Sequence, residues 1–379
     1  MEYVALKDVC KINMGQSPDS SSYNDKKEGI PFYQGNADFG EKHPIPRVWC
    51  NAPTKIAQPK DILMSVRAPI GALNYAQEKC CIGRGLAAIT PDKDKLSLEF
   101  LYWFLRGKNS ELNSKGTGST FKAISKKTLE EIRVPLIDLE KQQKMAQALE
   151  KTYSVIQMRT KQLKELDDLI KARFVEMFGN PATPGDKFKT CKLGEVADVK
   201  SSHRVFTTEF VDEGVPFYRG TEIGVLASGQ RPEDPYRISM EHYLKIASDD
   251  SKPIRGDLLL PSICNKGQVW MVDTDEPFYY KDGRVLCISP NRSVFDPRYL
   301  QLYMKMRTEA EYPKLGSGST FAEFKIFQLK KLEIDIPPMD IQNQFAQFVT
   351  QIDKSKATVQ KALDETQLLF DSLMQQYFG

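Results

Sequence analysis

The sequence predicts an α+β fold: two β-rich globular domains and two long helices that pair as an antiparallel coiled coil, with an internal pseudo-twofold repeat at an offset of about 200 residues. Three observations predict it. First, Gly116–Gly179 laid without gaps on Gly316–Gly379 is identical at Gly116, Gly118, Ser119, Thr120, Phe121, Leu129, Gln142, Ala146, Gln147, Lys161, Leu163, Glu165, Leu169, Phe178 and Gly179. Those are 15 of 64 positions, where chance gives roughly four. Second, each copy ends in about forty residues with no Gly or Pro before the last one. Third, a frame of short strand-like blocks precedes each copy. The boundaries read as a first domain over 1–137, a first helix over 138–179, a linker over 180–190, a second domain over 191–337 and a second helix over 338–379.

In the first domain, strand-like pieces fall at Tyr3–Leu6, Ile30–Tyr33, Ile62–Val66 and Leu86–Thr90, parted by Gly, Pro, Asn and Asp turns. A helix over Glu99–Gly107 is apolar nearly all round, which predicts burial. A Gly-x-Gly-Ser-Thr-Phe turn and the Pro-containing run Ile132-Arg133-Val134-Pro135 lead into the first long helix.

That helix carries apolar residues at Ala146, Leu149, Tyr153, Ile156, Leu163, Ile170, Phe174 and Met177, in steps of three, four and seven, with Thr160 and Asp167 as polar breaks. The second helix has a matching seam at Phe345, Phe348, Ile352, Val359, Ala362, Leu369 and Leu373, broken by Ser355 and Thr366. Pro135 and Pro338 stand ahead of the helices, and Gly179 and Gly379 stand where C-caps do. Forty residues make a rod of roughly 60 Å. The only comparable seam in the chain belongs to the other helix, so the two are predicted to pack on each other.

Asn180-Pro181-Ala182-Thr183-Pro184-Gly185-Asp186 is a linker by composition, and after it the plan restarts. Leu193-Gly194-Glu195-Val196 answers Leu6-Lys7-Asp8-Val9. Val215-Pro216-Phe217-Tyr218-Arg219-Gly220 answers Ile30-Pro31-Phe32-Tyr33-Gln34-Gly35. Gly256-Asp257-Leu258 answers Lys60-Asp61-Ile62, Gly283-Arg284 through Pro290 answers Gly83-Arg84 through Pro91 with one residue fewer, and Pro297–Leu300 answers Leu98–Leu101. The frame repeats while the segments between its strands differ in length and sequence, as in a scaffold built to recognise two different things.

A net charge of +3, 41% hydrophobic and 27% charged residues are ordinary for a soluble globular protein. The amino-terminal segment lacks the basic and apolar regions of a signal peptide, and no apolar run reaches the length of a membrane span, so a cytoplasmic location and no membrane partner are expected. Seven scattered cysteines form no Cys-x-x-Cys pair and the three histidines are isolated, which predicts reduced thiols and no metal site.

No catalytic constellation is present. The Gly-x-Gly-Ser-Thr-Phe turn lacks the spacing of a phosphate loop, no Gly-x-Gly-x-x-Gly opens a helix, and there is no Gly-x-Ser-x-Gly elbow. Asn180-Pro181-Ala182-Thr183 is only superficially like the Asn-Pro-Pro-aromatic motif of amino-methyltransferases. The chain reads as a binder. Its recurring loops mix cations and amides with aromatics, and Arg, Asn and Gln read base edges while Lys, Ser and Thr suit phosphates. The candidate DNA contacts in the first domain are Gln34, Asn36, Arg67, Arg84, Lys115, Ser119, Thr120 and Lys122. Those in the second are Arg219, Thr221, Asn265, Lys266, Arg284, Lys314, Ser319 and Thr320. The Gly-x-Gly-Ser-Thr-Phe turn also fits a plain tight turn and helix cap.

Taken in order and repeated, these blocks resemble the specificity subunit of a type I restriction–modification system. The resemblance rests on the Leu-x-Asp/Glu-Val starts, the Pro-Phe-Tyr-x-Gly blocks, the Gly-x-Gly-Ser-Thr-Phe turns, the proline runs before Gln142-Gln143 and Gln342-Asn343, and the Phe-Gly helix ends. It covers the whole chain, and Asn343 in place of a second Gln is a slight departure. It implies two target recognition domains, each reading half of a bipartite site on double-stranded DNA, and a coiled coil that sets the spacer. It further implies a non-catalytic chain without cofactor, docked to two methyltransferase (M) subunits that bring S-adenosylmethionine and to a restriction (R) subunit that brings ATP and Mg chemistry. The residues alone also fit a scaffold whose two modules bind something other than DNA.

Overall fold

The structure is a computed structural model that describes residues 2–117, 122–247, 251–315 and 322–379. Most of both Gly-x-Gly-Ser-Thr-Phe turns, including Ser119, Thr120, Ser319 and Thr320, lies outside the described residues. The chain forms two compact units, Met1–Lys161 with Gln360–Gly379, and Gln162–Val359. The long helices run over Leu139–Phe178 and Met339–Phe378, forty residues each and 200 apart at both ends. Each unit therefore holds the start of one long helix and the end of the other.

In the first unit, Cys10–Met14, Leu86–Pro91, Ile62–Ser65 and Leu73–Tyr75 form one antiparallel sheet in that order. Ile62, Leu63 and Met64 are fully buried, as a continuous apolar run flanked by turn residues demands. The second sheet orders Tyr23–Asn24, Trp49–Cys50, Ile30–Tyr33, Cys80–Ile82 and Ile56–Ala57, and Glu2–Ala5 pairs with Arg133–Leu136. The apolar helix Leu98–Gly107 is buried as predicted and capped by Ser97, whose hydroxyl accepts from the Phe100 amide at 3.2 Å.

The second unit repeats the frame. Ala197–Lys200, Val285–Pro290, Leu258–Pro261 and Trp270–Met271 form its antiparallel sheet; Val215–Tyr218 pairs in parallel with Tyr279–Tyr280 as Ile30–Tyr33 does with Cys80–Ile82. Pairing corrects one detail of the sequence alignment. Leu86 pairs with Ser65 and Val285 with Pro261, so Gly85, not Arg84, is the counterpart of Arg284. In the first unit a side chain is barred at this point, because a Cβ on Gly85 would lie 2.2 Å from the Gln34 carbonyl oxygen.

The helices pair antiparallel within each unit. In the first, the Tyr153 and Phe370 rings lie 5.8 Å apart, both against Trp103, and Arg159 donates to the Ala362 carbonyl and the Thr366 hydroxyl. In the second, Phe174 and Phe178 meet Phe345 edge-on at 5.3 and 5.4 Å, and Lys356 pairs with Asp167 at 2.5 Å. As numbering rises along one helix it falls along its partner. Leu149, Ile170, Phe174 and Phe345 are buried, and Tyr153, Ile156, Phe348, Ile352 and Leu373 pack against the two cores; Leu163 and Val359 are half-buried.

Leu369 departs from the predicted seam. It is 53% exposed, while its neighbour Phe370 is 7% exposed. A step of seven from Ala362 selects Leu369, but from Val359 the buried stripe advances eleven residues to Phe370, the spacing of a straighter helix. Packing sets this choice, because Phe370 must face Trp103 as well as Tyr153.

A repeated glutamine joins each helix start to its unit. Gln142, fully buried, accepts at Oε1 from the Ser97 amide at 2.8 Å, and its Nε2 donates to the Lys95 and Ile137 carbonyls, each at 2.8 Å. Gln342 makes the same three bonds: the Asp296 amide at 2.9 Å, the Val294 carbonyl at 2.9 Å and the Pro337 carbonyl at 2.8 Å. Ser97 and Asp296 are themselves the caps of the buried helices that follow, so one side chain ties two helix starts together. At the other ends, Gly179 takes a φ of +86° and its amide donates to Val175, a left-handed C-cap that glycine enters freely.

Candidate nucleic-acid interface

In the first unit the strand ends converge. The Gly83 amide donates to Tyr33, the Val66 amide to Gly85, the Ile124 amide to Val66 and the Ala68 amide to Lys122, at 2.8–2.9 Å. This ladder brings Gln34, Asn36, Arg67, Arg84 and Lys122 to one exposed edge. Arg67, Arg84 and Lys122 make no ion pair among the described residues, so their charge faces solvent. Lys115 is different: it bonds to Glu111 at 2.6 Å, one helical turn away.

The equivalent edge of the second unit borders an open cleft of about 650 Å³ lined by Arg219, Gly220, Thr221, Gly224, Pro261, Ser262, Ile263, Gln268, Lys281 and Arg284. The same ladder builds it: Lys281 donates to Tyr218, Ser262 to Arg284 and Phe324 to Ser262. Here the cations are held by acids. Arg284 pairs with Glu323, Lys281 with Asp282 at 3.2 Å, and Lys314, further off, with Glu311 at 3.0 Å. Arg219 forks onto Glu222 through Nε at 3.2 Å and Nη2 at 2.7 Å, with its guanidinium 4.5 Å above the Tyr236 ring. Burial opposes the charge on Glu222, yet the bonds from the Arg219 side chain and amide hold its carboxyl below the usual carboxylate range. The Glu222 bond in turn raises the Arg219 pKa. Asn265 and Lys266 lie in a turn closed by Gln268, whose Oε1 accepts from the Lys266 amide at 3.0 Å and whose Nε2 donates to Asn265 at 3.4 Å.

The structure thus gathers Gln34, Asn36, Arg67, Arg84 and Lys122 in one unit, and Arg219, Thr221 and Arg284 in the other, with Asn265 and Lys266 in the turn that ends at Gln268. Sequence reasoning missed Lys281, Ser262, Gln268, Glu222 and Tyr236. Lys281 was within reach of it, standing two residues before the singled-out Gly283-Arg284. Ser262 and Tyr236 follow or sit in strands and read as frame. No group of three or more His, Cys, Asp or Glu side chains that could hold a metal occurs among the described residues. No described helix is long and apolar enough to cross a membrane.

Residues 1–168 and 185–366 both match the family model described as type I restriction modification DNA specificity domain. The chain belongs to this family. It is 45% identical over 157 residues to a Methanocaldococcus jannaschii protein named as the MjaX type I restriction enzyme specificity subunit; the match covers 41% of this chain and 37% of that relative's length. Over 411 aligned positions it is 21% identical to the EcoBI specificity subunit of Escherichia coli, covering 99% and 85% of the two chains. The crystal structure of a type I restriction–modification S subunit from M. genitalium shares the fold, with a TM-score of 0.57, 14% identity, and coverage of all of this chain and 96% of that one.

Proposed function

We propose that this chain is the DNA-reading subunit of a type I restriction–modification complex, each globular part reading one half of an asymmetric bipartite duplex target. One observation carries the reading. The same edge of a repeated strand frame twice presents Arg, Lys and amide side chains, while the loops between the frame strands differ. From Gly35 to Asp61 the chain takes 26 residues, and from Gly220 to Asp257 it takes 37. A common frame with different tips suits two different half-sites.

In this reading the chain is non-catalytic and cytoplasmic. The paired helices set the unread spacer and dock two M subunits, which carry S-adenosylmethionine; an R subunit brings ATP and Mg chemistry. Backbone phosphates supply most of the affinity, so binding falls with salt, by about 0.9 in log slope for each phosphate neutralised. Fluorescence anisotropy with duplex DNA tests this. Replacing Arg67, Arg84 and Lys122 together by Ala lowers the salt slope by up to about 3. Binding that ignores salt, or no binding with or without a methyltransferase partner, refutes it.

A further inference from the structure

We infer that Gln34 and Arg219 are base-reading residues at one and the same structural position, so that the half-site read by the first unit carries adenine where the half-site read by the second carries guanine. The inference rests on the DNA-reading function proposed above and adds to it which side chains discriminate.

The positions are equivalent by pairing, not only by sequence. Phe32 pairs with Cys81 and Phe217 with Tyr279, both in parallel. Tyr33 accepts from the Gly83 amide at 2.8 Å, and Tyr218 from the Lys281 amide at 2.9 Å. Gln34 and Arg219 are the next residues, each leaving the end of a strand and each exposed. In both units a nearby acid fixes the backbone at this point. The Gln34 amide donates to Asp38 at 2.7 Å and the Arg219 amide to Glu222 at 2.8 Å. A side chain launched from a fixed backbone at a loop tip has the precision that base reading needs.

The Arg219 side chain is fixed as well. Its Nε and one Nη2 hydrogen face Glu222, and one guanidinium face lies on Tyr236. Of its five N–H donors, three remain, two of them along the Nη1–Nη2 edge. Two parallel donors of that kind match O6 and N7 of guanine, and a glutamine amide matches N6 and N7 of adenine. The side chain is 44% exposed while Glu222 is 10% exposed, so the acid props the arginine from below and leaves the reading edge bare.

Methylation mapping of the genome in the host that carries the gene tests this, with the chromosomal copy replaced by Arg219→Gln, Arg219→Lys or Gln34→Arg. The wild type is expected to mark a two-part motif. Arg219→Gln shifts one position of one half-site from guanine towards adenine by about ten- to a hundredfold in relative use, leaving the other half unchanged. Gln34→Arg makes the reverse shift in the other half. Arg219→Lys keeps the charge but loses the fork, and relaxes that same position. Motifs unchanged in all three variants overturn the inference, and so does loss of the whole motif in all three, which would make these side chains general supports. Absence of any gene-dependent motif in the wild type would instead remove the proposed function itself.

Discussion

Replacing Gln142 by Met keeps nearly the same length and flexibility but deletes every polar atom of a fully buried amide. Three backbone groups lose their partner: the Ser97 amide and the Lys95 and Ile137 carbonyls. An orphaned buried group costs about 1–3 kcal/mol. Lys95 is exposed and Ile137 half-buried, so water recovers much of the two carbonyl losses, and the Met methyl and sulfur return about 1 kcal/mol of apolar burial. The net expectation is about 2–4 kcal/mol lost from the first unit. Two assays read it. Urea unfolding followed by the fluorescence of buried Trp103 gives the free energy, and hydrogen exchange of the segment around Ser97 gives the local opening. Gln142→Glu adds a pH signature. A buried carboxylate facing two carbonyls has a raised folded pKa, so its deficit is full at neutral pH and shrinks as pH falls through that value. A Ser97 amide that keeps its protection in Gln142→Met, with a stability change under about 0.5 kcal/mol, refutes the clamp.

Further tests address other parts of the molecule. Arg159→Ala is expected to cost about 1–2 kcal/mol in the first unit through its bonds to Ala362 and Thr366, and a double-mutant cycle with Thr366→Val should show coupling above about 0.5 kcal/mol; independent effects would mean the contact is idle. Burial pushes the thiols of Cys10, Cys80 and Cys287 up to about 12 and those of Cys81 and Cys264 to about 11, whereas Cys191 is half-exposed, so iodoacetamide at pH 8 should mark Cys191 first, as peptide mass spectrometry would show. Glu222 has a folded pKa below its unfolded one, so the advantage of wild type over Glu222→Gln should be full at pH 7, begin to shrink as pH falls below the unfolded value of about 4.3 and be lost as pH falls through the folded one; an advantage that shows no decline with falling pH in thermal melts contradicts the ion pair. Seven residues inserted at matching points of both long helices add about 10 Å and should lengthen the unread spacer by about three base pairs in methylation maps. An unchanged spacer refutes the ruler.

Much of the frame was legible because its signals are local. The buried runs Ile62–Ser65 and Leu86–Pro91 are short, apolar and flanked by turn residues, and the helix Leu98–Gly107 carries its own cap. The helix bounds followed from the repeat. Leu369 was misplaced because a heptad count considers only the partner helix, whereas Phe370 also answers to Trp103, a residue 267 positions earlier. The clamp illustrates the same limit: Gln142 stood out as a repeated residue, but nothing near it in the chain reveals that its partners are 45 and 47 residues back. At the candidate interface, residue type picked out Arg219 and Arg284, but not Glu323, which lies 39 residues from Arg284.

The two glutamine clamps address only main-chain amides and carbonyls. Such a fastening is blind to the side chains around it, so any strand frame that brings its peptide groups to the same places will be accepted. One globular part can therefore be exchanged for another, by recombination within the repeated stretch, and the glutamine's three hydrogen bonds are kept whatever side chains the new part brings. Novelty at the tips and constancy at the joint are uncoupled by the choice of which atoms the joint grips.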